Sequence, residues 1–62
     1  MTAQQLTRAM QLGKFPRGVC VRWVWHWDLD GEPCTRAVNA LLKQGRAHPQ
    51  YYQGGEASLS LA

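Results

Sequence analysis

Between Pro33 and Gln44 lie four polar side chains whose types and spacing could read a nucleic acid. Thr35, Arg36, Asn39 and Lys43 stand at i, i+1, i+4 and i+8, so on a helix they project from one side. Arg pairs with guanine and Asn with adenine through bidentate hydrogen bonds. Thr can meet a thymine methyl or a polar base edge, and Lys can reach guanine or phosphate. A solvated helix also needs such residues for solubility, so the set acquires meaning only from the elements around it.

Other chemistry is poorly provided for. Cys20, His26, Cys34 and His48 make up a Cys2His2 set, but their gaps of five, seven and thirteen residues match no usual zinc module. Asp28, Asp30, Gly31 and Glu32 resemble a fragment of a calcium loop without its remaining ligands or its twelve-residue frame. No base is paired with a nucleophile and no glycine-rich phosphate cradle is present, and a chain of 62 residues has little room for a pocket. Neither an enzyme, a cofactor nor a metal is expected.

The elements that must position Thr35, Arg36, Asn39 and Lys43 can be traced along the chain. Thr2 can cap a first helix with Ala3, Leu6 and Met10 on its apolar side, ending near Gly13, where Gly13, Pro16 and Gly18 leave Lys14 and Arg17 in a loop open to phosphate. The stretch Val19–Trp27 admits two readings. Val19, Val21, Trp23, Trp25 and Trp27 alternate as in a strand, while Val19, Trp23 and Trp27, with Cys20 and Val24, form one helical face. The helix is preferred because its neighbours imply three helices. It puts Trp23 and Trp27 in the core and leaves Trp25 outside as a contact for a protein partner.

Pro33 suits the first turn of the next helix, Cys34, Ala37, Val38, Leu41 and Leu42 form its apolar stripe, and Gly45 follows Lys43 as a C-terminal cap. Beyond Arg46, a two-residue turn at Gly54-Gly55 joins two segments into a hairpin, with Ala57, Leu59 and Leu61 alternating with Ser58 and Ser60.

Composition limits what such a chain can be. At 45% hydrophobic and 18% charged residues, with three tryptophans, it should be a single compact domain over residues 1–62. A chain of this length buries only about 60% of its unfolded surface, so its stability is marginal. Seven Lys and Arg against four Asp and Glu give +3, which favours polyanions. Two cysteines are too few for a disulfide scaffold. There is no secretory h-region and no apolar run of about 18 residues, so a cytoplasmic location without membrane contact is expected.

The run Cys34-Thr35-Arg36-Ala37-Val38-Asn39-Ala40-Leu41-Leu42-Lys43-Gln44-Gly45-Arg46 resembles the recognition helix of winged helix-turn-helix DNA-binding domains. In size and order the chain is similar to the small PapI-type fimbrial regulators. It departs from them in its Trp-rich second segment and in the turn from Asp28 to Glu32. The resemblance implies a mostly α fold of three helices with a C-terminal β-hairpin; the alternative is an α+β fold with residues 19–27 as a strand. It also implies a transcriptional regulator that binds duplex DNA. A helix over about 33–44 would enter the major groove with Thr35, Arg36, Asn39 and Lys43 at the bases. The wing over about 46–61 would bring Arg46, His48, Tyr51, Tyr52 and Gln53 to the backbone, beside Lys14 and Arg17. So few cations imply a homodimer or a protein partner, and the minimal size fits a phage or mobile element. The competing functions are a small inhibitor or adaptor working through the Trp-rich segment, and RNA binding through Tyr and Trp.

Overall fold

A computed structural model describes all 62 residues. The elements are α1 (Ala3–Gln11), β1 (Arg17–Val21), β2 (Val24–Leu29), β3 (Glu32–Pro33), α2 (Thr35–Lys43), β4 (Ala47–Tyr52) and β5 (Glu56–Leu61). The strands form one antiparallel sheet in the order β3-β2-β1-β5-β4. This α+β architecture, with two helices on a five-stranded sheet, overturns the expectation of a mostly α, three-helix winged helix-turn-helix.

Local signals account for α1 and α2. Thr2 Oγ1 accepts a hydrogen bond from the Gln5 N–H at 3.1 Å and Gln5 Oε1 accepts one from the Thr2 N–H at 2.9 Å, a reciprocal capping box. On α2 the buried residues are Ala37, Val38 and Leu41. Gln44 is its C-cap, and Gly45 follows at φ 70°, a left-handed position suited to glycine. Pro33 is not in the helix: it pairs with Asp28 as part of β3, and α2 begins two residues later behind Cys34.

The expected second helix is a hairpin. β1 and β2 pair from Arg17↔Asp28 to Val21↔Val24 around a two-residue turn at Arg22-Trp23. Nor is 19–27 one strand, because the turn breaks it. Across a two-residue turn, paired positions have opposite parity, so the alternation from Val19 to Trp27 does not define a single face. Val19 and Val21 point to one side of the sheet, and Trp25 and Trp27, opposite Cys20 and Gly18, point to the other. Arg22 and Trp23 both have positive φ, 53° and 69°, as such a turn requires. For residues other than glycine this costs about 1–2 kcal/mol each.

The core lies between the helices and one sheet face. It joins Leu6 and Met10 of α1, Ala37, Val38 and Leu41 of α2, and Trp27, Leu29, Ala47, Ala57 and Leu59 of the sheet, with Cys34. Burying each large apolar side chain contributes about 1.5–3 kcal/mol. Trp27 packs over Gly18, where a Cβ would come within 3.0 Å of the ring, so the missing side chain is what admits the indole. The expected burial of the tryptophans holds for Trp27 and fails for Trp23. Trp27 is buried, but Trp23 is 96% exposed at the turn and Trp25 is half-buried.

Register in the second hairpin departs by one residue from the expected turn. Tyr52 pairs with Glu56, so the loop is Gln53-Gly54-Gly55. Tyr51, opposite Ala57, therefore shares the helix-bearing face, and Tyr52 lies on the open one. Pro49 on the edge strand β4 offers no N–H to a further strand, which blunts that edge.

Candidate nucleic-acid interface

α2 contacts both β2 and β4, and α1 packs against α2 and β5. The apolar stripe of α2 faces the sheet, so Arg36, Asn39 and Lys43 are exposed on its outer side. Thr35 differs from them. Its hydroxyl accepts the Trp27 N–H at 3.0 Å, while the neighbouring Cys34 N–H donates to the Trp27 carbonyl at 2.8 Å. β3 is too short to pair with β2 at Trp27, so Thr35 and Cys34 satisfy that backbone instead. Thr35 is thus half-buried and engaged in holding α2 to β2.

The other expected contacts are distributed over several surfaces. Arg46 lies beyond α2, with its Nη1 donating to Gln44 Oε1 at 3.4 Å. It borders a cleft between the end of α2 and α1 that is lined by Gln4, Thr7, Arg8, Gln11 and Gln44. Arg17, His48 and Tyr52 belong to the open sheet face, Gln53 to the β4–β5 turn, and Tyr51 to the helix-bearing side. No single ligand surface unites them. Lys14 Nζ is 3.7 Å from Asp30, and Arg17 Nη2 is 2.8 Å from Glu56. Both pairs are exposed and stabilise by no more than about 1 kcal/mol.

The acidic residues are kept off the helices, while Lys14, Arg17 and Arg22 stay with the carboxylates on the strands and loops. Neither α1 nor α2 contains an acidic residue, whereas Arg8, Arg36, Lys43 and Arg46 lie on the helices or immediately after them, without acidic partners. The carboxylates are on the strands and the β2–β3 turn: Asp28, Asp30, Glu32 and Glu56. Arg8 was not singled out in the sequence, and the structure places it on α1 at the cleft shared with Gln44 and Arg46. The available signal was the absence of acid from both helical segments, which matters only once the two are known to share a side.

Buried Cys34 has its thiol pushed above the usual range, first by desolvation and then by the charge of Asp28. It behaves as a core residue, and Cys20 is a second free thiol, half-buried on β1. Cys20, His26, Cys34 and His48 are dispersed, and no three His, Cys, Asp or Glu side chains gather as a metal site. No helix is long and apolar enough to cross a membrane. Comparison of the chain with protein-family models, with curated proteins and with solved structures gave no match, so the fold and the acid-free helices stand without support from a relative.

Proposed function

We propose that the protein binds duplex DNA through its helix-bearing side and acts as a regulator inside the cell. The observation that carries this reading is the acid-free helical layer, with Arg36 and Lys43 flanking the exposed Asn39 on α2, Arg8 and Arg46 at the cleft beside Gln44, and none of the four cations paired with an acid. Arg36 and Asn39 carry the donors and acceptors suited to base edges, and Lys43, Arg46 and Arg8 meet phosphates. Thr35 positions α2 rather than reading a base. Three phosphate-facing cations give a slope of about −3 in log affinity against log salt, so one copy binds weakly and a second copy or a partner protein adds affinity.

Titration of the protein with a DNA duplex at low and moderate salt tests this. Arg36→Ala with Asn39→Ala should lower affinity at least 10-fold and flatten sequence preference, since each base contact contributes about 1–3 kcal/mol. Lys43→Ala should weaken all duplexes alike and reduce the salt slope by about 1. Unchanged affinity and preference in the double variant would refute the reading.

A further inference from the structure

The sheet has two unlike ends. At one, the β2–β3 turn gathers Asp30 and Glu32, and Lys14 pairs with Asp30. At the other, the β1–β2 and β4–β5 turns lie side by side, tied by the Cys20 N–H donating to the Gly55 carbonyl at 2.7 Å. This second end concentrates exposed rings. Trp23 stands at the tip of the first hairpin, and Tyr51 of the second is 5.1 Å from Trp25 between ring centroids; Trp25 in turn is 6.3 Å from the buried Trp27. The ladder Trp27, Trp25, Tyr51 thus runs from the core to solvent on the helix-bearing side, and its inner rung holds the outer rings in place.

We propose that this end is a stacking platform for unpaired nucleobases, with Trp23 as the principal ring and Tyr51 as the second. It rests on the reading of the helical layer as a nucleic-acid surface, and it extends the ligand from a plain duplex to a duplex with an unpaired tail or bulge. Three observations converge on it. The strained turn keeps Arg22 and Trp23 where Asn and Gly would be relaxed, and it displays the indole almost entirely to solvent. Arg22 has no acidic partner, and the nearest carboxylate in the register, Glu56, is engaged by Arg17. The Trp25–Tyr51 rungs share their side of the sheet with Arg36, Lys43 and Arg46, so one strand can place phosphates on the helices and bases on the rings. The exposed Val19 and Val21, which would suit an apolar protein or lipid contact, point to the opposite side.

The test compares a blunt duplex, the same duplex with a short unpaired tail, and anionic lipid vesicles, using affinity and tryptophan fluorescence. The wild-type protein should prefer the tailed duplex by roughly 5- to 100-fold, with quenching of the exposed indole. Trp23→Gly removes the ring and relaxes the turn, so the fold survives; it should lose the gain from the tail and bind the blunt duplex as before. Tyr51→Ala should lose part of the gain. A tail without effect in the wild type, or a gain retained in Trp23→Gly, overturns the platform. Vesicle binding that depends on Trp23, without any gain from the tail, also overturns it and assigns this end to a membrane surface. If the tailed duplex binds through Trp23 while Arg36→Ala with Asn39→Ala changes nothing, the helical reading fails and the platform stands.

Discussion

The β4–β5 hairpin turns through Gln53-Gly54-Gly55, with both glycines at positive φ, while the β1–β2 hairpin turns through Arg22-Trp23 with the same sign of φ and a Cβ on each residue. In the first the loop itself favours reversal. In the second the loop resists it, and the body of the hairpin must supply the difference. That body is well provided: Trp27 packs over Gly18, Leu29 is buried beneath the helices, and Thr35 and Cys34 satisfy the Trp27 backbone. A turn can therefore be kept for what it displays rather than for how readily it forms, provided the strands behind it are anchored elsewhere.

The largest expected effect is at the anchor. Trp27→Ala should lower stability by about 3–5 kcal/mol in denaturant unfolding, because the ring fills the space above Gly18 and closes the core. In so small a domain that is enough to unfold most of the population. A loss well below that range would mean that the turn, not the body, holds β1 to β2. An intermediate effect of opposite sign is expected at the two turns. Arg22→Asn with Trp23→Gly should raise the thermal midpoint, by the equivalent of about 1–2 kcal/mol, whereas Gly54→Ala should lower stability by about 1 kcal/mol. Changes of the same sign at both turns would erase the contrast. The smallest effect should come from Thr35→Val, which keeps the shape but leaves the Trp27 N–H without its acceptor, at about 1 kcal/mol. Amide exchange at Trp27 should quicken in that variant, and unaltered exchange would remove Thr35 from the anchor.

The legible parts of the chain are those whose signals are local. Thr2 with the Ala3, Leu6 and Met10 spacing announces α1, the Ala37-Val38-Leu41 stripe and Gly45 bound α2, and the glycine pair marks the last reversal within one residue. That one residue decided which tyrosine faces the helices. The β1–β2 hairpin escaped because Arg22-Trp23 carries no turn signal and the alternation of Val and Trp continues through it. The candidate interface divides along the same line. Arg36, Asn39 and Lys43 were identifiable from helical spacing, but Thr35 turned out to be engaged by Trp27, and the expected wing contacts lie on different faces of the sheet.

By itself the sequence determined the two helices, the C-terminal hairpin and the outward set on α2, since capping, periodicity and glycine turns act over a few residues. Only the tertiary structure decided that the central segment reverses on itself, that Trp23 is exposed and that Arg8 lies beside Gln44 and Arg46. These outcomes depend on strand pairing and on packing between residues distant in the chain, and that energy, absent from any local window, is what holds the strained turn.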